Sequence, residues 1–241
     1  MIDYLEINNY KFFVKIRSTR KSRVTASISK GNVNITVPSF LNREEKYKEI
    51  LKMRSWAIDE IKNNTERFIP EKEKEYKDND LLILNNKEYK INIKLNNRES
   101  SVARILNDTI NLSISSKLSK EHQNKHISTL LSRSVAKEHL PKLKEKIHEL
   151  NNKHFNQKIN KIFFKYNKSN WGSCSTNNNI NISTRLLFAP EDVLEYVCIH
   201  ELAHLSEHNH SKRFWSLVEK TMPNYKEKKL WLKNNRDKCI F

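Results

Sequence analysis

Apolar and polar residues alternate near the start of the chain in the manner of β-strands. Apolar side chains fill every second position in three runs, at 12–16, 24–28 and 33–37. A period of two places such side chains on one face of a strand. The turn-prone Lys30-Gly31-Asn32 separates the last two runs, and Pro38 ends the block because proline cannot donate to a β-ladder. We therefore predict three strands.

A helical pattern follows at 43–62, where apolar residues recur near a spacing of 3.6. Residues 64–80 are charged and poorly periodic, which predicts a loop or linker. Strand alternation returns over 81–114 and is clearest at 89–95 and 110–114. We find no internal repeat in the sequence.

The second half of the chain is mostly helical in pattern. Residues 119–151 carry an apolar stripe that Pro141 interrupts, so we expect a kink or two abutting helices there. Two short strands and three further helices follow. Their predicted bounds are 159–166 and 180–184 for the strands, and 191–207, 211–222 and 224–235 for the helices. The pattern predicts an α+β fold, with a β-rich N-terminal part followed by a compact helical core with a small sheet.

The composition excludes several classes of protein. Only two glycines occur, so neither the dinucleotide-binding G-x-G-x-x-G motif nor a phosphate-binding P-loop can be present. Lys and Arg number 45 against 28 Asp and Glu, a formal net charge of +17. The basic residues concentrate in 7–42, which contains no acid, and in 119–170. Such regions attract nucleic-acid phosphates, although a general preference for Lys and Asn explains the charge equally well.

The N-terminal residues, the aliphatic runs and the cysteines indicate the cellular compartment. The first ten residues contain Asp3 and Glu6 and no apolar core of a signal peptide. The longest aliphatic run, 81–84, is far too short to span a membrane. Three widely spaced cysteines do not form a disulfide framework. We expect a cytoplasmic protein with no membrane partner.

The strongest chemical signal is the H-E-x-x-H motif of His200, Glu201 and His204. On a helix, residues four apart are 40° apart in angle, so the two imidazoles share a face and can bind one Zn²⁺ at about 2.0–2.1 Å. Glu201 lies beside them, where it can hold and deprotonate a water on the metal. Only three positions are fixed in this motif, so chance matches occur, and a third metal ligand is needed to identify a zinc site.

Three residues are candidates for that ligand: Glu207, His208 and His210. His208 continues the helical series, but His200 and His208 are then about 12 Å apart along a straight helix, too far for one ion. We favour His210, because Asn209 can end the helix in a left-handed conformation and turn the chain back to the metal. Ser211 can then cap the next helix.

Three histidines leave the fourth zinc position open, which is typical of a catalytic site. The spacing matches that of the metzincins except that Glu207 replaces their glycine. Met222 follows, as a methionine does in metzincins, but its four-residue spacing from Val218 and Phe214 predicts a core position.

Several motifs resemble, in type and in order, those of a known family, the YgjP-like metallopeptidases. This family is related to the SprT-like, minimal gluzincin-type zinc peptidases. The motifs are Trp171-Gly172-Ser173-Cys174-Ser175, Pro190-Glu191, His200 to Leu205, Asn209-His210-Ser211 with Phe214-Trp215, Pro223, and Trp231-Leu232. The resemblance implies His200, His204 and His210 as ligands of one Zn²⁺ per chain and Glu201 as general base. It also implies a zincin-like core at 119–241, after a β-rich region at 1–118 with one helix.

The residues around the motif leave several roles open. Strand 180–184 can be the edge that pairs with an extended substrate or an ordinary interior strand. Gly172 permits a tight turn or a close backbone approach. Cys174 can cap the zinc in a latent state or be a small buried residue. The sequence does not choose an oxyanion donor among His208, Tyr196, Arg185 and Tyr225.

These observations favour a zinc metallopeptidase, of metalloendopeptidase type, that hydrolyses protein or peptide substrates through a zinc-activated water with Glu201 as base. One alternative is a nucleic-acid-binding protein with a structural zinc, which requires a fourth protein ligand and leaves Glu201 without a role. Another is a peptidase recruited to DNA-bound proteins through the basic regions 7–42 and 119–170.

Overall fold

The computed structural model describes residues 3–29, 31–68 and 74–241. Lys30 of the predicted turn and residues 69–73 of the predicted linker lie outside the described residues, as do the first two residues of the chain. Contacts divide the chain into two compact units, Met1–Lys72 and Glu73–Phe241.

The first unit consists of a four-stranded sheet and two helices. Its elements are β1 (Tyr4–Ile7), β2 (Tyr10–Thr19), β3 (Thr25–Ser29), β4 (Asn32–Pro38), α1 (Arg43–Asn63) and the short α2 (Thr65–Phe68). The strand order is β1-β2-β4-β3, with β2 and β4 parallel and the other pairs antiparallel. The three predicted strands are confirmed as β2 to β4. β1 was not predicted, because its four residues offer only two apolar inward positions.

The core of this unit lies between the sheet and α1. The inward residues of β2 and β4 alternate as predicted, and Ala57 and Ile61 of α1 are fully buried against them. A capping box fixes the start of α1: the Asn42 side chain accepts from Glu45 N–H, and the Glu45 carboxylate accepts from Asn42 N–H, both at 2.9 Å. The helix predicted at 43–62 is therefore confirmed to within one residue.

The second unit begins with another four-stranded sheet and a long helix. The elements are β5 (Leu81–Leu84), β6 (Lys87–Asn96), β7 (Val102–Leu106), β8 (Thr109–Ser115) and α3 (Lys120–Leu150). The strand order is β5-β6-β8-β7, again with only the central pair parallel. The inward residues of the sheet pack against Ile127, Leu131 and Val135 of α3.

The two sheets are an internal repeat, which the sequence analysis missed. Every strand of the first sheet recurs 77 residues later with the same bounds (Tyr4 to Leu81, Pro38 to Ser115), and α1 and α3 start at matching positions. Equivalent inward positions of the two sheets both carry apolar side chains but not the same residue, as Phe12 and Tyr89 show. The prediction of no repeat was therefore wrong, because burial constrains the type of side chain more than its identity.

The helix α3 joins two cores within the second unit. It runs through Pro141 as one helix and ends in a π-helical turn, Asn151–Phe155. Leu143, Ile147 and Leu150 pack on the C-terminal core. The sequence placed a boundary at 118/119, whereas the structure divides the chain at 72/73, because β5–β8 share a core with α3.

A small sheet and three helices complete the second unit. They are β9 (Lys161–Lys165), β10 (Gly172–Cys174), β11 (Asn179–Ser183), α4 (Glu191–Ala203), α5 (Lys212–Thr221) and α6 (Tyr225–Asn234). In the sheet, β11 lies between β10 and β9, antiparallel to the first and parallel to the second. Of the two roles considered for 180–184, the interior strand is therefore the one that the structure shows, since both of its sides are paired, and β10 is an edge.

The α+β fold class is confirmed, with a β-rich N-terminal part and a helical C-terminal core that contains a small sheet. Met222 is buried in that core, as predicted. No helix in the described part of the chain is long and apolar enough to cross a membrane.

Candidate metal centre

The helix α4 carries the H-E-x-x-H motif in its last turn. Pro190 precedes it, and Glu191 and Asp192 lie in its first turn, where carboxylates favour the positive end of the helix dipole. Most of the helix is buried, which fixes the orientation of the motif. The helix ends at Ala203, not at residue 207 as predicted.

The chain leaves α4 through tightened turns. Leu205 N–H and Ser206 N–H each bond to a carbonyl three residues earlier, at 3.0 and 3.1 Å. Asn209 is not among the described residues with positive φ, so the expected left-handed ending at Asn209 is wrong. The chain instead begins to turn back before Asn209 and does so over more residues. Ser211 caps α5 as predicted, because its side chain accepts a hydrogen bond from Phe214 N–H.

The structure brings together the three histidines that the sequence selected. One ring nitrogen of each of His200, His204 and His210 lies within 4.8 Å of the others. The Nε2 atoms of His200 and His210 are 3.1 Å apart. Two nitrogens that bind the same zinc at tetrahedral angles are roughly 3.3 Å apart. The cluster therefore has the dimensions of a three-histidine metal site.

A backbone carbonyl orients His204. Nδ1 of His204 lies 3.0 Å from the carbonyl oxygen of Glu207, so Nδ1 carries the proton and donates to it. Nε2 is then left as the lone-pair nitrogen, which is how metal-binding histidines are commonly held. The sequence offered Glu207 as a ligand, but its contribution here comes from its backbone. His208, the other candidate, is exposed and lies outside the cluster.

Aromatic rings from α5 support the three imidazoles. The centroid of the buried Phe214 ring lies 4.8 Å from those of His200 and His210, and 4.5 Å from that of His204. Trp215 stacks on His210 at 5.7 Å. These contacts restrict the imidazole rotamers and so hold the three ring nitrogens in their convergent arrangement.

Glu201 packs directly against the backbone of β10. A Cβ atom added to Gly172 would lie 2.5 Å from Glu201 Oε1, a distance that atoms cannot adopt. Of the two roles considered for Gly172, the close approach is therefore the one that the structure shows. The Cys174 N–H donates to the Glu201 carboxylate, while Oε2 is buried without a hydrogen-bond partner in the described part of the chain.

Burial controls the protonation of these groups. It lowers the pKa of the His200 imidazole to about 3, and neighbouring positive charge acts in the same direction. It raises the pKa of the Glu201 carboxyl to about 8, although the hydrogen bond from Cys174 opposes this shift. His200 is therefore neutral and able to bind a metal, and the Glu201 carboxyl can exchange a proton near neutral pH.

Arg185 is not available as an oxyanion donor. Its guanidinium is buried and donates to the carbonyl oxygens of Cys239, Lys168 and Arg236 at 2.7, 2.9 and 2.6 Å. It also lies over the Trp171 ring, 4.5 Å from the centroid. Arg185 thus fixes the segment that leads into β10, a role that nothing in the local sequence indicated.

Cys174 does not belong to the histidine cluster. Its thiol is half-buried, and burial raises its pKa to about 11, with the nearby Glu201 acting in the same direction. The contribution of Cys174 to the site comes instead from its backbone N–H.

A cavity of about 420 Å³ opens beside the cluster. His200 and Glu201 form part of one wall, with Trp171 and Gly172 next to them. Trp171 is therefore a wall of the cleft. The remaining lining residues are Asn170, Tyr196, Val197, Lys229, Leu232, Lys233 and Arg236.

The chain belongs to the YgjP-like metallopeptidase domain family, which matches residues 22–235. The crystal structures of two metallopeptidase zymogens are similar to part of it. Abylysin of Pyrococcus abyssi is 26% identical with a TM-score of 0.35, covering 38% of this chain and 92% of its own. Jannalysin of Methanocaldococcus jannaschii is 22% identical with a TM-score of 0.34, covering 38% and 94%. A search of curated proteins finds no match.

Membership of a metallopeptidase family implies a bound metal. The donor set of this chain fits one: three converging imidazole nitrogens, an orienting carbonyl and a carboxylate beside them. Imidazole donors with an open coordination position are the set that catalytic zinc uses.

Replacing His210 tests the ligand set. We expect His210→Ala to lose zinc, because two histidines alone leave the ion half-coordinated. His208→Ala, two residues away and exposed, should retain it. Zinc content after gel filtration, measured by mass spectrometry, checks both. Zinc retained by His210→Ala but lost from His208→Ala would contradict the assignment.

Proposed function

We propose that this protein is a zinc-dependent peptidase that binds one Zn²⁺ per chain through His200, His204 and His210. The observation that carries the proposal is the convergence of three imidazole nitrogens beside a buried carboxyl. A structural zinc needs a fourth protein ligand, and the described residues place none in the cluster. The arrangement therefore supports catalysis over a structural role.

Glu201 is the proposed general base. When bound, zinc supplies a Lewis acid that polarises the substrate carbonyl and acidifies water. Glu201 accepts a proton from the attacking water and donates it to the leaving amine. Oε2, which has no hydrogen-bond partner among the described residues, is the atom proposed for that exchange, since the other interactions of the carboxyl hold it against β10.

The proposed substrate-binding edge is β10. Trp171 O and Ser175 N–H bond to β11, so the alternation of an antiparallel pair directs the polar groups of Gly172 and Cys174 away from β11. The Cys174 N–H already bonds to Glu201, and the Gly172 carbonyl accepts from Asn170 Nδ2. An extended peptide that pairs with this edge therefore uses the Gly172 N–H and the Cys174 carbonyl, and it lies next to Glu201. Main-chain pairing gives affinity with little side-chain selection, which suits protein substrates.

Tyr196 is the proposed oxyanion donor. It lines the same cavity as His200 and Glu201, and its ring lies 6.1 Å from that of His200. Burial raises the pKa of the Tyr196 phenol to about 12, so the hydroxyl stays protonated and able to donate. The metalloendopeptidase type and the cytoplasmic location stay predictions from the sequence.

Glu201→Gln separates catalysis from metal binding. We expect this variant to retain zinc, because the three histidines remain, and to lose peptide hydrolysis by about 10²–10⁴-fold, because the amide cannot accept the proton. Wild type and variant should be compared by zinc content and by cleavage of a denatured proteome. Full turnover in a zinc-loaded Glu201→Gln protein would exclude Glu201 as the base.

Gly172→Ala tests the contact between β10 and Glu201. The added methyl group must displace the carboxyl, so we expect hydrolysis to fall at least 10-fold while zinc content is unchanged. Ser173→Ala, in the same strand, is the control. Unchanged activity in Gly172→Ala would mean that the position of Glu201 is not critical.

Nucleic-acid binding stays a prediction, which none of the comparisons supports. For region 119–170, part of the positive charge is engaged in ion pairs, such as Lys146 with Glu195 at 3.3 Å. Region 7–42 is different. Lys11, Lys15 and Arg17 share the exposed face of β2, and the exposed Phe13 lies between the two lysines and pairs with Tyr4 across the strands. This mixture of cations and aromatic rings is typical of single-strand binding.

A salt series tests this second function. If the face of β2 binds phosphates, log K for a single-stranded oligonucleotide should fall with log[salt], with a slope of about −0.7 per contact. Replacing Lys11, Lys15 and Arg17 with Gln should reduce that slope by roughly 2. Lys137→Gln, in the second unit, serves as the charge control. A slope that the triple substitution leaves unchanged would exclude this face.

A further inference from the structure

The cavity beside the metal centre has an unusual charge distribution. Glu201 is its acidic lining residue, and Lys229, Lys233 and Arg236 are its cations. These cations follow one face of α6 and the turn after it, at helical spacing. A substrate whose reacting carbonyl lies beside Glu201 therefore extends a neighbouring group toward three positive charges.

The lysines of this cavity differ from other lysines of the same helix. Lys228 pairs with Asp192 at 2.6 Å, and Lys226 lies 4.0 Å from Glu219. Within the described part of the chain, Lys229 and Lys233 have no carboxylate within ion-pair distance. Lys229 instead lies over the Trp215 ring, 4.9 Å from its centroid, which orders its ammonium near the cavity.

Arg236 adds a partly unsatisfied donor. Its Nη2 donates to the carbonyl oxygens of Lys168 and Ser169 at 2.8 and 3.4 Å, which fixes the guanidinium at the cavity wall. Its Nε is buried and has no hydrogen-bond partner among the described residues. Buried donors are nearly always paired in folded proteins, so this one indicates an acceptor that the described residues do not provide.

The remaining wall is mostly apolar. Trp171, Tyr196, Val197 and Leu232 line it, together with Asn170 and Gly172. A ligand that fits has a short aliphatic or amide stem and ends in an anion. The volume of about 420 Å³ lies in the range of small-ligand sites.

We propose that this cavity binds a carboxylate of the peptide substrate, so that the enzyme prefers peptides with an acidic group next to the scissile bond. Lys229, Lys233 and Arg236 are the specificity-determining residues. The carboxylate comes either from an Asp or Glu side chain or from the C-terminus of the peptide. The preference in cleavage rests on the proposed peptidase function, whereas binding of the carboxylate does not.

The test uses zinc-loaded protein and matched fluorogenic peptides that carry Glu, Gln or Lys beside the cleaved bond. Each peptide is made with a free and with an amidated C-terminus. We expect kcat/KM to be at least about 10-fold higher for Glu than for Gln, as for a charge-assisted hydrogen bond. A preference in amidated peptides identifies the side chain, and one that requires the free C-terminus identifies the terminal carboxylate.

Charge variants assign the preference to the cavity. The double substitution Lys229→Gln and Lys233→Gln should reduce the Glu-to-Gln ratio to near unity, and Lys233→Glu should favour the Lys peptide. Lys226→Gln, on the same helix but outside the cavity, should leave the ratio unchanged. Equal kcat/KM for all peptides, or a preference that survives the double substitution, overturns the proposal.

Binding without cleavage separates the two proposals. Calorimetric titration of Glu201→Gln with the same peptides should show tighter binding of those with the extra carboxylate, and the double substitution at 229 and 233 should remove it. If that holds but wild type cleaves nothing, the peptidase function fails and the carboxylate site stands. If wild type cleaves all peptides equally and the titration shows no preference, the carboxylate site fails and the peptidase function stands.

Discussion

The contact between the Glu201 carboxyl and the backbone of β10 is the constraint on which the site depends. It requires glycine at position 172, because any side chain would collide with Oε1. It also uses the Cys174 N–H as a donor to the carboxylate. The same edge of the sheet is the one proposed to bind substrate, so a single contact aligns the base with the bond to be cleaved. Arg185 stabilises this arrangement, because its guanidinium donates to a backbone carbonyl oxygen in the segment that precedes β10.

The metal ligands depend on a helix that ends early. His200 lies in the last turn of α4, and His204 is the first residue after that helix. His210 follows, after the chain has turned back. The carbonyl of Glu207, within that reversal, orients His204. Phe214 then packs against all three rings. The end of α4, the orientation of the ligands and their packing thus all come from residues 200–214, which explains how the three imidazoles converge.

Local features of the site could be predicted from the sequence, and nonlocal features could not. The histidine cluster was predicted because the helical spacing of His200 and His204 and the reach of His210 depend on nearby residues. The position of β11 in the centre of its sheet depends on pairing with β9; a strand was predicted at 159–166, but the sequence carries no signal for its pairing with β11. The contacts of Arg185 span up to 54 residues and were equally invisible. The repeat was missed because its two copies share burial rather than identity.

That repeat shows how the catalytic part is connected to the sheets. The helices α1 and α3 start at equivalent positions, but α1 ends at Asn63, which corresponds to residue 140 of α3. The turns of α3 from Pro141 onward carry Leu143, Ile147 and Leu150, which pack against the core around α4. In the first unit the helix breaks at Asn64, the position equivalent to Pro141, before α2 starts at Thr65, whereas α3 continues through Pro141. One unbroken helix therefore contributes to the core under the second sheet and to the core around the metal site, so that both cores share a common support.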